Sequence, residues 1–276
     1  SDVCSSDLPE LGLLKVDETG RIVRFVEKPS TEAELDEMVV DTKAFGLTEK
    51  EAAQYPFLAS MGIYLFTNKV LDDLLLADLS QTDFGKEIIP GAIETHHAQA
   101  FCHNDYWADI GTVGAFYQAN MELINPLPGF NLFDPDMPIY TNARFLPGAK
   151  LNRASVEGAV LCDGSIIEGA MVRESILGVR TRVRPGSILE RSLVMGADYY
   201  QPGTKPGQAP KPFIGIGEGA YLRKVIVDKN ACIGEGVQLV NREKAEYYDD
   251  PEGRFYVRDG IIVVAKKAVL PEGFVF

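Results

Sequence analysis

Two stretches of this chain carry side chains suited to phosphate and metal chemistry. Phe25-Val26-Glu27-Lys28-Pro29 sets a carboxylate and an ammonium side by side, just ahead of a proline. Asp105-Tyr106-Trp107-Ala108-Asp109-Ile110-Gly111-Thr112 holds a carboxylate next to an aromatic pair and a glycine turn. A hard divalent cation takes carboxylate oxygens. A sugar phosphate needs a cation for its phosphate and an acceptor for its hydroxyls. Together the residue types point to a phosphorylated sugar handled with a metal ion.

The elements that must position these groups begin with a hairpin. Leu11 to Val16 is apolar and strand-like, Asp17-Glu18-Thr19-Gly20 is a turn, and Arg21 to Val26 alternates as the partner strand. Residues 31–54 are charged and weakly patterned and read as a loop with a short helix. Ser60 to Phe66 reads as a buried strand, Asn68 to Leu76 as a capped amphipathic helix, and Ile88 to Ala92 as an apolar helix. Ala98 to Cys102 is a short strand, and Val113 to Ile124 a helix rich in apolar residues. Strands mixed with helices in this order predict an α/β layer.

Residues 125–150 are dense in Pro, Asp and Asn and read as a linker. Beyond about residue 151 apolar residues recur every six: Leu161 and Ile167; Leu177, Val183 and Leu189; Ile216 and Leu222; Val227, Ile233 and Leu239; Val264, Leu270 and Phe276. No α-helical period fits. A six-residue repeat predicts a parallel β-helix whose coils stack. Residues 198–212 and 241–258 interrupt it as two excursions. The apolar ends of such a solenoid call for cover, which another subunit would supply.

With 276 residues, the chain has room for one large or two ordinary domains. A net charge of −13 argues against a general nucleic-acid or anionic-membrane surface, since either needs a basic patch. No apolar run has the length of a transmembrane helix. Four scattered cysteines without CxxC spacing suggest neither a zinc site nor a disulfide framework, and favour a reducing compartment. Residues 1–8 read as a truncation edge or a non-native segment, so the chain is expected to be a fragment.

The order of separated motifs resembles glucose-1-phosphate adenylyltransferase (ADP-glucose pyrophosphorylase). The segments are Gly12-Leu13-Leu14-Lys15-Val16-Asp17, Phe25 to Pro29, Leu58-Ala59-Ser60-Met61-Gly62-Ile63-Tyr64, Asp83-Phe84-Gly85-Lys86 and Tyr106 to Thr112. They continue with Pro138-Ile139-Tyr140-Thr141, Leu193 to Tyr200 and Asp228-Lys229-Asn230-Ala231. The resemblance runs over residues 9–276, and Met195-Gly196-Ala197-Asp198-Tyr199-Tyr200 is similar to the plant and cyanobacterial branch. It implies the C-terminal part of a Rossmann-like nucleotidyltransferase domain over residues 9–124. The linker 125–150 and a left-handed parallel β-helix of hexapeptide repeats over 151–276, with regulatory and oligomerisation roles, complete the expectation. Family members open with a Gly-rich, Arg-containing nucleotide loop that no segment here matches. The chain alone is therefore expected to lack turnover.

The resemblance also implies roles for single residues. Lys28 would bind the phosphate of glucose 1-phosphate and Glu27 would accept from its hydroxyls; the plain alternative is a solvated ion pair. Gly12 would line the sugar site by close backbone approach and Ser60 by its hydroxyl, against a turn and a satisfied strand hydroxyl. Asp109 would ligate Mg²⁺ with a second carboxylate that this chain does not show, against a helix cap. Lys28 and Asp109 are the catalytic candidates, on opposite ends of the sugar ester. Arg144, Lys229 and Lys266 match basic positions of an anion effector site, for which 3-phosphoglycerate and inorganic phosphate are the expected effectors. Each, however, is one of 27 basic residues. Trp107 reads as core packing, and His96, His97 and His103 as surface loop residues. ATP, glucose 1-phosphate and ADP-glucose would be the partners, in a homo- or heterotetramer of the cytoplasm, or of a plastid in a plant.

Hexapeptide solenoids also serve acyltransferases and carbonic anhydrases, which use a His base or a His–zinc cluster. The repeat region here contains no His. The remaining alternatives are another sugar-1-phosphate nucleotidyltransferase, using dTTP or UTP, and a non-catalytic regulatory subunit of the same family.

Overall fold

The computed structural model describes residues 11–103, 105–201 and 212–276. The expected truncation edge at 1–8 and most of the 198–212 excursion lie outside the described residues. Two compact units divide between Trp107 and Ala108.

The first unit is built on a three-stranded antiparallel sheet. Its central strand β1 (Gly12–Val16) lies between β2 (Ile22–Glu27) and β3 (Leu58–Ala59). Asp17 closes the β1–β2 turn by accepting from the backbone N–H groups of Thr19 and Arg21. Leu13 and Met38 are fully buried in one apolar cluster, while Phe25, Ile89 and Ile93 form a second. The charged stretch 31–54 holds two helices, α1 (Glu32–Met38) and α2 (Glu49–Gln54). Each starts with a reciprocal capping box, Thr31 with Glu34 and Thr48 with Glu51. Helix α3 (Asn68–Ala77) forms as expected, but Thr67 makes no side-chain capping bond and the helix buries no residue. A single wide π-turn, Phe84–Ile88, leads into α4 (Ile89–Thr95).

One expectation fails here. Ser60 to Phe66 is not a buried strand: Ile63 is 73% exposed and Leu65 fully exposed, while only Tyr64 and Phe66 turn toward the core. The alternation survives, but beyond the Ser60 bond to Gly12 O the segment has no sheet partner among the described residues. The expected strand at 98–102 shrinks to a single bridge, Gln99 to Arg21.

The second unit opens with α5 (Val113–Glu122) and an exposed irregular stretch, then winds into a parallel β-helix. Its strands fall on three faces, of six, five and seven strands among the described residues. Leu151, Ile167, Val183, Ile216, Ile233 and Leu270 stack in register on the first face. Val156, Val172, Leu189, Leu222 and Leu239 stack on the second, and Leu161, Leu177, Val194, Val227 and Val264 on the third. Successive inward positions lie five or six residues apart, because each face contributes one inward apolar side chain and each corner turns within a few residues. Small buried side chains sit just after the corners, and Ser165, Ser187 and Ser192 close onto backbone carbonyls there. Replacing Leu189 by alanine is expected to lower the unfolding free energy by about 3 kcal/mol, because its side chain is wholly enclosed. Chemical denaturation followed by far-UV circular dichroism would check it; a loss below about 1 kcal/mol would mean this coil is not tightly packed.

The second excursion holds a hairpin. Tyr247–Asp249 and Phe255–Arg258 pair antiparallel with each other and then with Ile261–Val264, so they widen the third face. Phe255 and Val257 face the core, and Arg254 closes a two-bond ion pair on buried Asp250. Tyr248, Phe255, Phe274 and Phe276 close the C-terminal end of the solenoid with packed rings. At the other end Leu151 remains half-exposed.

Candidate functional site

The four residues expected at a sugar site meet at one end of the first unit's sheet. Gly12 and Glu27 are register partners on β1 and β2. Ser60, one residue beyond β3, donates its N–H to the Gly12 carbonyl at 2.7 Å. Lys28 continues the ladder by donating its N–H to Leu11 O at 3.1 Å. The central strand thus brings three chain segments, far apart in sequence, to a common edge.

The Glu27 carboxylate is walled by glycines. A methyl group added to Gly12 would lie 2.7 Å from Glu27 Oε2, and one added to Gly85 would lie 2.9 Å from the same carboxyl. Neither position admits a side chain without moving the carboxylate. Gly85 belongs to the π-turn, whose start is fixed by Asp83 accepting from Lys86 N–H at 2.9 Å. Glu87 reaches back to accept from Thr82 and Asp83 N–H. Sequence reading assigned Gly85 no role, although the Asp-Phe-Gly turn ahead of an apolar helix was in plain view.

Ser60 Oγ lies 3.0 Å from the Tyr64 hydroxyl and accepts from Gly62 N–H at 3.2 Å. Tyr64 is a second residue that sequence reading did not single out. It is backed by Phe66, which is in turn met edge-on by Phe84. The aromatic row supports the hydroxyl pair beside an exposed edge. Lys28 is exposed and adopts φ of 50°, a left-handed conformation uncommon for a side chain-bearing residue. Buried Pro29 follows it. The kink takes Lys28 off the line of β2 at the strand's end. Such backbone strain concentrates where surrounding structure enforces it. Chemically, this edge offers a fixed carboxylate acceptor, two hydroxyls and an ammonium, a set matched to a polyol that carries an anion.

Asp109 lies in the second unit. It accepts from Gly111 N–H at 3.1 Å and is exposed. It does not cap α5: Thr112 does, through a bond from Ala115 N–H at 3.1 Å. No group of three His, Cys, Asp or Glu side chains able to hold a metal occurs among the described residues. A single carboxylate is still a suitable donor for Mg²⁺, which keeps several waters and takes one or two carboxylates.

Lys229 and Lys266 belong to successive coils stacked at one corner of the β-helix, where Lys267 N–H bonds to Lys229 O. Lys229 Nζ lies 3.3 Å from Asp198 Oδ1, and Asn230 donates to the same carboxylate. Those hydrogen bonds, from Asn230 first and Lys229 next, with the nearby charge of Lys266, hold Asp198 below the usual carboxylate range. In the preceding coil Arg180 donates to Ala197 O and lies over the Tyr200 ring, adding a cation that sequence reading missed. Arg144 does not join this corner through any contact described; it donates to Asn142 O. His97 is exposed, and His96 and His103 are half-buried with only local bonds.

Comparison with family models matches two successive stretches of the chain, the first of which runs past the boundary between the units. Residues 3–125 match the family described as nucleotidyl transferase. Residues 144–275 match the GLGC left-handed parallel beta-helix domain. The stacked parallel coils and the mixed α/β unit before them agree with this pair of domains. The chain therefore carries a nucleotidyl transferase domain followed by a left-handed parallel β-helix domain.

Proposed function

We propose that this chain belongs to a glucose-1-phosphate adenylyltransferase of glycogen or starch synthesis, of the plant and cyanobacterial branch. A phosphate oxygen of glucose 1-phosphate attacks the α-phosphorus of ATP. A new P–O bond forms, the bond between the α- and β-phosphates breaks, and ADP-glucose and diphosphate leave. The observation that carries this reading is the Glu27 carboxylate held between Gly12 and Gly85, at the sheet edge shared with Ser60 and Lys28. Glu27 and Ser60 bind the hexose hydroxyls, and Lys28 holds the phosphate and orients it for attack. Asp109 would hold Mg²⁺, which neutralises charge on the transferred phosphoryl group when bound. No protein nucleophile is required.

The corner cations Lys229 and Lys266, with Arg144, take a small anionic effector; 3-phosphoglycerate and inorganic phosphate are the candidates. The half-exposed Leu151 at the open end of the solenoid supports burial against a neighbouring subunit, in a homo- or heterotetramer. The compartment is the cytoplasm, or a plastid in a plant.

Nucleotide choice is the direct test. The complete protein is expected to release diphosphate from ATP and glucose 1-phosphate at least ~100-fold faster, in kcat/KM, than from dTTP or UTP with the same sugar. Comparable rates with dTTP or UTP would replace this reading with that of another sugar nucleotidyltransferase.

A further inference from the structure

The turn between strands Phe255–Arg258 and Ile261–Val264 has two residues, Asp259 and Gly260, because Arg258 pairs directly with Ile261. Both have positive φ, 55° and 67°, as a type I′ hairpin turn requires. Asn or Gly would serve that turn equally well. The Asp259 side chain, however, leaves its own hairpin. Its Oδ2 accepts from Gly114 N–H at 2.9 Å, across 145 positions of sequence. Gly114 is the second residue of α5, and a methyl group there would lie 2.8 Å from that oxygen. Lys224 Nζ steadies the turn from the other side through Asp259 O at 3.3 Å.

The start of α5 and the turn before it are therefore tied at three points. Asp109 accepts from Gly111, Thr112 accepts from Ala115, and Asp259 accepts from Gly114. Farther along, the Tyr117 hydroxyl donates to Arg191 O at 2.6 Å, and the helix packs on Ile176, Leu193, Ile226 and Ile261 of the third face. A local side chain satisfies one orphan donor of the helix, and the β-helix satisfies another. An anion at this end also complements the helix dipole.

We propose that Asp259 is a positioning residue for the Asp109 loop: by capping α5 from the β-helix, it fixes the direction in which the chain leaves Asp109. The proposal rests on the reading of Asp109 as the metal carboxylate, and its test has a readout independent of that reading. Trp107 is the only tryptophan, two residues before Asp109, so its emission reports on this loop.

Asp259→Gly keeps a residue at ease with positive φ and removes only the carboxylate, whereas Asp259→Asn keeps an acceptor as well. In the chain as it stands, Asp259→Gly is expected to speed amide exchange at Gly114 about fivefold and to shift Trp107 emission. Asp259→Asn should restore most of both. In the complete protein, Asp259→Gly should raise the Mg²⁺ concentration needed for half-maximal transfer while leaving the KM for glucose 1-phosphate unchanged. Unaltered exchange and emission in Asp259→Gly would overturn the tether. Altered exchange and emission with Mg²⁺ dependence unmoved would overturn the positioning role. A wild-type protein without Mg²⁺-dependent transfer would overturn the function itself and, with it, that role, while the exchange data would still decide the tether.

Discussion

Lys28→Ala is expected to weaken binding of glucose 1-phosphate roughly 30-fold, the loss of about 2 kcal/mol from one charge-assisted contact to phosphate. Binding of glucose, which carries no phosphate, should change less than about twofold. The exposure of Lys28 keeps the figure in the middle of the range for such contacts, since water screens part of the charge. Lys28→Gly makes the stronger control. Glycine accepts the φ of 50° found there more readily than lysine does, so folding stability should hold or rise while the same binding is lost. Isothermal calorimetry on both variants checks it. Equal losses for glucose and glucose 1-phosphate would remove Lys28 from the phosphate. Lys28→Arg is not a neutral exchange, because a planar fork replaces a compact point charge on a strained backbone.

Asp109→Asn is expected to lower the rate of nucleotidyl transfer in the complete protein about 1,000-fold, with the KM for glucose 1-phosphate within a factor of about two. The asparagine retains an oxygen for Gly111 N–H, so the turn ahead of α5 survives, and only the anionic oxygen suited to a hard cation is lost. Steady-state rates across a Mg²⁺ titration give the measurement. A variant that keeps more than about a tenth of the wild-type rate would make Asp109 a turn residue and nothing more. The capping bond from Ala115 to Thr112 matters here, because it leaves Asp109 without the structural duty that its position before the helix first suggested.

The β-helix was the most legible part of the sequence. Leu177, Val183 and Leu189, six apart, stand on three successive faces, and each is buried against the coil above and below. The six-residue steps have no competing helical explanation, although the coils also take five-residue steps, as from Ile167 to Val172 and Leu177. The second excursion misled for a different reason. Its charges mark it as an excursion from the repeat, yet Arg254 and Asp250 pair with each other inside a hairpin. Asp259-Gly260 behind the alternating Phe255-Tyr256-Val257 was a hairpin signature that went unread. The two helices of 31–54 were likewise announced by Thr31 and Glu34 and by Thr48 and Glu51. Ile63 and Leu65 show the opposite failure: an apolar run states that cover is wanted, and cannot state that the same unit provides it.

At the candidate site, residue types were readable and the geometry was not. Glu27 and Lys28 stood out as neighbours, but nothing in the sequence reveals that Gly85 approaches the Glu27 carboxyl from a π-turn. That contact exists because β2 packs against the turn preceding α4, a tertiary fact. Tyr64 was passed over because a tyrosine in an apolar run reads as core, whereas its hydroxyl meets Ser60. The corner of Lys229, Lys266 and Asp198 was similarly hidden, since only coil stacking unites residues so distant in the chain.

The most direct test of the central claim is a crystal structure of the protein soaked with glucose 1-phosphate. The account predicts density at the open edge of the three-stranded sheet, with hexose hydroxyls within hydrogen-bond distance of Glu27 and Ser60 and the phosphate on the Lys28 ammonium. Density confined to the corner of Lys229 and Lys266, or an empty sheet edge at saturating ligand, would contradict it.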